Sequence, residues 1–192
     1  MKKVVIATNN PGKIKEIKVI LKDYEILTLK DMNCEIEVEE DQDTFEGNAM
    51  KKAKEIAEAL KMPAIADDSG LCIDILKGWP GVYTARFLGE NATQEQRNNA
   101  ILEKMKKEPE RMARVRCSMA YYEEGNFILG KGEVEGKIAI QKRGKNGFGF
   151  DEIFELPNGK TFAELTLDEK NQISHRKLAL QDLKENLQKF GK

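Results

Sequence analysis

Apolar positions along the chain change their period several times, and each change predicts an element. Residues 3–7 form a short continuous apolar run, the pattern of a buried strand, and Asn9-Asn10-Pro11-Gly12 then supplies a turn. Beyond it Ile14, Ile17, Leu21 and Tyr24 recur at helical spacing and predict a helix over 13–23, followed by a strand at 25–29. The alternation in Glu35-Ile36-Glu37-Val38-Glu39-Glu40-Asp41 reads as an extended segment ending in a loop. Phe45, Ala49, Ala53, Ile56, Ala57 and Leu60 restore the helical period, with Asp43 or Thr44 as the cap, Glu46 placed for a capping box, and Asn48 and Lys52 sharing another face.

Pro63 ends that helix, and Ala64-Ile65-Ala66 reads as a short strand that delivers Asp67-Asp68-Ser69-Gly70 to its C-terminal end, where open α/β sheets bind ligands. Residues 71–76 look extended, Gly78-Trp79-Pro80-Gly81 forms a turn, and a helix runs from Gln94 to about Lys106. Two alternating stretches, 114–122 and 127–135, flank Glu124-Gly125-Asn126 and predict a hairpin. A glycine-rich loop spans 144–149, Thr166 and Glu169 form a capping box, and Ser174 can cap a last helix with Leu180, Leu183, Leu187 and Phe190 inward. Mixed strands and helices without repeat or linker indicate one α/β unit over residues 1–192, with two lobes around a groove as the open variant.

Composition removes several classes of function. At 192 residues with 40% hydrophobic content the chain can fill a core, and 32 basic against 33 acidic residues leave no global field for nucleic acid or anionic membrane. An anionic ligand therefore needs a local site. Cys34, Cys72 and Cys117 are odd in number and scattered, which argues against disulfides and a zinc site. The apolar run after Lys2-Lys3 is too short for a signal-peptide core and no stretch reaches membrane-spanning length, so a cytoplasmic protein is expected.

Four local patterns carry candidate chemistry. Thr8 to Lys13 lies between a strand and a helix start, where free amides and the helix dipole attract phosphate; a plain strand-to-helix turn is the alternative. Asp67 and Asp68, with a third carboxylate such as Glu40, suit magnesium, whereas a solvated acidic turn would need no metal. Gly147-Phe148-Gly149-Phe150-Asp151 offers close backbone approach and rings that stack on a base, or a tight turn with its rings in the core. His175, the one histidine, stands beside Arg176 at a helix start with Lys170 upstream; both donors suit a purine keto oxygen.

Taken together these stretches resemble the inosine triphosphate pyrophosphatase family, also called the Ham1-like or dITP/XTP pyrophosphatase family. The resemblance rests on residues 7–13, 44–49, 65–71, Pro80-Gly81-Val82-Tyr83, 147–151 and 173–176, and runs nearly end to end. It implies an elongated Maf/Ham1-like α/β structure, a mixed sheet flanked by helices with two lobes around a central substrate cleft, and a homodimer. It also implies Asp68 and Lys52 as catalytic residues, and magnesium held by Asp67, Asp68 and Glu39 or Glu40. Thr8, Asn9, Asn10, Pro11, Gly12 and Lys13 would hold the triphosphate, with Ser69 touching substrate. Phe148, Gly149, Phe150, Asp151, Lys170, His175 and Arg176 would hold the rest of the nucleotide. Phe150, Glu152 and Thr84 depart from the tyrosine, proline and serine usual in the family, and none of them removes a catalytic group.

The implied activity is magnesium-dependent hydrolysis of ITP, dITP and XTP to monophosphate and pyrophosphate, cleansing the nucleotide pool, with Asp68 accepting a proton from water. The rival from another class is a nucleotide-binding sensor that uses the same residues without turnover.

Overall fold

The computed structural model describes residues 1–89 and 91–190. Among the described residues six strands and five α-helices make an α/β fold: β1 (Lys2–Ile6), α1 (Pro11–Ile20), β2 (Tyr24–Thr28), α2 (Phe45–Leu60), β3 (Ala64–Ile73), α3 (Gln94–Lys104), β4 (Met112–Glu123), β5 (Asn126–Ile138), β6 (Phe154–Glu155), α4 (Leu167–Ile173) and α5 (His175–Phe190). The strands make one mixed sheet in the order β2-β1-β3-β4-β5-β6. β1 pairs in parallel with both β2 and β3, and β5 with β6 is antiparallel.

By contact the chain divides into two compact units. The first holds Met1–Ser69, Cys117–Gly132 and the segment from His175 on; the second holds Gly70–Arg116 and Glu133–Ser174. The first unit is three-layered because its strands alternate. Val4, Ile6 and Ile65 pack with Ile17 and Leu21 of α1 and Leu180 and Leu183 of α5. Their neighbours Val5, Ala64 and Ala66 face the other way, onto Ala49, Ala53 and Ile56 of α2. In the second unit Leu71 and Ile73 pack with Ile101, Met105, Phe154 and Phe162.

Several boundaries differ from the sequence expectation for identifiable reasons. Pro11 starts α1 two residues early, since a proline fits the first helical position and Asn10 caps it. Thr44, not Asp43, caps α2 by accepting from the Gly47 N–H, so Glu46 forms no box and pairs with Lys131 instead. The helix-ending Phe190 is 59% exposed rather than inward. The expected short strand before the aspartates is a ten-residue strand that runs through them, so Asp67 and Asp68 lie mid-strand. Their charges are met by side chains on either face, and the ladder therefore need not end where the polar pair begins. All three cysteines are free, and among the described residues no helix is long and apolar enough to cross a membrane.

Candidate active site in the first unit

Strand periodicity separates the two aspartates. Ile65 faces α1 and α5 and Ala66 faces α2, so Asp67 returns to the first face and Asp68 to the second. β1 stops pairing with β3 at Ile6 opposite Ile65, and the last link is the Ala7 N–H donating to the Ile65 carbonyl at 2.8 Å. Asp67 thus lies just past the end of β1, beside the turn that begins α1.

On the first face Asp67 is buried in a cationic setting. The Lys13 ammonium is 2.9 Å from Asp67 Oδ2, and Arg176 Nε is 3.5 Å from the same oxygen. Arg176, itself 2% exposed, donates to Glu16 Oε2 at 2.7 Å and reaches Ser69 Oγ at 3.5 Å. Burial works against the Asp67 carboxylate, but Lys13, Arg176 and Lys52 outweigh it and hold its pKa below the usual carboxylate range. Arg176 and His175 can sit this low because α5 rests directly on β5: a Cβ at Gly132 would fall 2.1 Å from the His175 carbonyl oxygen, and one at Gly130 2.3 Å from that of Ala179. Neither position tolerates a side chain.

On the second face Asp68 is held by neutral donors. Asn48 Nδ2 donates to its Oδ2 at 2.8 Å and the Ser69 N–H to its Oδ1 at 2.9 Å. Burial is the main reason its pKa rises to about 6; Glu40 and Asp67 push the same way, while Lys52 and Asn48 pull down. Lys52 donates to Glu40, and although burial opposes its charge, Asp67, Glu40 and Asp68 together raise its pKa. Glu39, one residue earlier, is exposed. Of the two candidate glutamates, Glu40 is the one that acts on Asp68.

In the phosphate-loop candidate, Thr8 Oγ1 accepts from the Asn10 N–H at 3.2 Å. Asn10 Oδ1 accepts from Gly12 at 2.9 Å and Lys13 at 3.3 Å. Those two amides are occupied by the cap, and an incoming phosphate would have to replace it. Asn9 is exposed, Pro11 opens the helix, and Lys13 alone of this loop touches the acidic cluster.

The remaining candidates sit in the second unit. Asp151 Oδ2 accepts from Lys170 Nζ at 2.6 Å and from the Phe148 N–H at 2.8 Å, with Lys170 only 4% exposed. That ammonium lies 4.5 Å from the centre of the Phe148 ring, itself 42% exposed. Gly147 has φ +79, and a Cβ there would fall 2.0 Å from Asp151 Oδ2, so glycine is required where the loop closes over its carboxylate. Phe150 packs into the core and stacks on Phe87 at 6.3 Å, while the Gly149 carbonyl accepts from Asn98.

Glu16, Asn98 and the Gly130–Gly132 pair went unnamed in the sequence. Glu16 looks like any polar helix residue, and only its position one turn after Lys13 hints that it faces the same way.

An α/β sheet whose strand β3 carries a cation-held carboxylate on one face and a carboxylate of raised pKa on the other, next to a capped helix start, has the groups that anion binding and proton transfer require. Such sites occur in unrelated chemistries. This chain belongs to the Ham1 family, whose sequence pattern matches residues 4–186. It is 46% identical over 199 residues to a Clostridium perfringens protein named dITP/XTP pyrophosphatase, covering 97% of this chain and 98% of that one. A Bacillus subtilis protein of the same name is 45% identical over 196 residues, 98% of each chain. The Staphylococcus aureus Ham1 protein structure aligns with a TM-score of 0.90 at 41% identity, over 98% of this chain and all 100% of that one. A Coxiella burnetii HAM1 protein gives 0.91 at 38% identity with the same coverage.

Proposed function

We propose that the chain hydrolyses non-standard purine nucleoside triphosphates, ITP, dITP and XTP, to monophosphate and pyrophosphate. The observation that carries the reading is Asp68: a buried carboxylate with its pKa lifted to about 6, fixed by Asn48 and by its own following amide, beside the Lys52–Glu40 pair. A base poised near neutral pH suits general-base catalysis. Asp68 takes the proton of a water whose oxygen bonds the α-phosphorus as the α–β anhydride bond breaks and pyrophosphate leaves. Lys13 and Lys52 each exchange a protein carboxylate for substrate phosphate charge. Arg176 fixes Asp67 and through it the resting place of Lys13, and His175 supplies a donor to the base. Phe148, Gly149, Phe150, Asp151 and Lys170 serve the nucleotide as a second group, with the partly exposed Phe148 ring as the stacking surface.

Asp68 and Glu40 fit a magnesium ion. Glu40 penalises the charged form of Asp68, which a divalent cation relieves. Among the described residues no set of three His, Cys, Asp or Glu gathers, and magnesium, which keeps several waters and touches substrate phosphates, needs no more than two. When bound, the ion supplies charge neutralisation on the phosphates and a more acidic water. Asp67, committed to Lys13 and Arg176, orients the cluster. A homodimer in the cytoplasm completes the proposal.

Measuring pyrophosphate release from ITP, dITP, XTP, GTP and ATP, with and without magnesium, tests it. The first three should turn over and only with the metal. Glu40→Gln should raise the magnesium concentration needed for half-maximal rate, and Glu39→Gln should leave it unchanged. Nucleotide binding without release would instead make the chain a sensor.

A further inference from the structure

Helix α1 has a second face, turned away from the acidic cluster. Helical residues turn by about 100° each, so Lys13, Glu16, Ile17 and Leu21 share the side that meets the cluster and core, whereas Ile14, Lys15, Lys18, Val19 and Lys22 share the opposite one. There a groove of about 710 Å³ opens between α1 and the end of β2. Pro11, Ile14 and Val19, the last 53% exposed, form an apolar floor. Lys15, Lys18, Lys22 and Lys30 rim it, and Asn9 and Thr28 add polar groups.

Among the described residues none of the four lysines has an ion-pair partner, and the one acid that acts on Lys18 and Lys30 does so only through space. Glu16 is taken by Arg176, Asp23 by Lys184 and Glu25 by Lys3. Asp31, which Lys18 and Lys30 feel through space, gives its carboxylate to the Thr28 N–H at 2.9 Å and hydroxyl at 2.8 Å. Among the described residues no acid forms an ion pair with any of the four. A chain of net charge −1 thus concentrates four cations without ion-pair partners around one concavity of a volume usual for small-molecule sites. A recess with an apolar floor and a cationic rim suits a small molecule that is apolar at one end and polyanionic at the other.

We propose that this groove is a second ligand site for a phosphorylated nucleoside, its ring on Pro11, Ile14 and Val19 and its phosphates among Lys15, Lys18, Lys22 and Lys30. Isothermal titration of the full chain with inosine 5′-monophosphate tests it, beside the double variant Lys18→Glu/Lys22→Glu and the separate variant Lys30→Glu, each checked for an unchanged circular-dichroism melt. The unaltered protein should show a binding phase that both variants weaken by about tenfold or more, while turnover at saturating ITP stays within about twofold. Inosine should give no such phase, and inorganic pyrophosphate a weaker one. Inosine triphosphate giving the stronger phase would identify substrate, the monophosphate the product, as the natural occupant. Identical isotherms for all three proteins would overturn the proposal. So would pyrophosphate binding as tightly as the nucleotide, which would make the floor irrelevant, or a tenfold loss of turnover, which would place the lysines in the catalytic machinery. Retention of the unaltered protein alone on phosphatidylglycerol vesicles or duplex RNA, without a nucleotide phase, would replace the small ligand by a macromolecule.

Discussion

Asp68 in the first unit and Asp151 in the second are buried carboxylates with a lysine in their surroundings, yet the protein treats them oppositely. Asp151 is closed off: Lys170, the Phe148 amide and the glycine-permitted fold of the 147–151 loop all serve one oxygen. Asp68 is left under tension, because burial first, then Glu40 and Asp67, push its pKa up while Lys52 donates to Glu40. A satisfied ion pair holds a loop in place; an imperfectly compensated carboxylate keeps an appetite for a proton or a cation. The difference separates positioning from chemistry.

The largest expected effect tests the chemical half. Asp68→Asn keeps the shape and one of the two hydrogen bonds to the side chain but removes the base, so pyrophosphate release should fall about 10²–10⁴-fold with the melting temperature lowered by only a few degrees. Undiminished release would move the chemistry elsewhere. The counterpart, Asp151→Asn, strands the Lys170 ammonium against Phe148 and Phe162. Breaking a buried pair from one side costs about 3–5 kcal/mol, which at this chain length lowers Tm by roughly 10 °C. If Asp151→Asn instead left Tm alone and abolished turnover, the contrast between the two regions would fail.

A smaller effect sharpens it through pH. With the Asp68 pKa at about 6, kcat/KM should lose about tenfold per unit as pH falls below that value. Asn48→Ala removes an interaction that lowers this pKa, so the acid limb should move to higher pH. Stability runs the other way on the two faces of β3. Asp68, raised on folding, stabilises most below the unfolded value of about 4, and that contribution is lost as pH rises through about 6. Asp67, depressed on folding, stabilises above about 4 and loses its contribution as pH falls further.

Much of this was legible along the chain. The apolar periods located α1, α2, α5, the hairpin and the strands β1 and β3, a capping box placed Thr166, and the start of α1 fell within two residues of the expectation. Adjacent aspartates were visible as chemistry, but their division between faces was not, because it depends on the strand continuing through them. Arg176 read as a donor for the base, whereas its distances to Glu16 and Asp67 place it in a buried network joining residues 160 and 109 positions apart. Local pattern carries periods and caps; it does not carry which distant side chain satisfies a buried charge.

The smallest predicted effect compares the helices that carry the two lysines. Thr44 caps α2, which brings Asn48 and Lys52 to Asp68, and Thr166 caps α4, which brings Lys170 to Asp151. Replacing either by Ala should cost about 1 kcal/mol of stability, and chemical denaturation would register them as near equals. Their effects on catalysis should part. Thr44→Ala lets the first turn of α2 fray one turn from Asn48, loosening the hydrogen bond that fixes Asp68, so kcat should drop several-fold and its acid limb should shift upward with it. Thr166→Ala frays a turn whose lysine is already clamped by a 2.6 Å ion pair and two aromatic rings, so kcat and its pH profile should hold. Equal losses of kcat in both variants would mean that the two regions are mechanically one, and that the division of labour between Asp68 and Asp151 is only apparent.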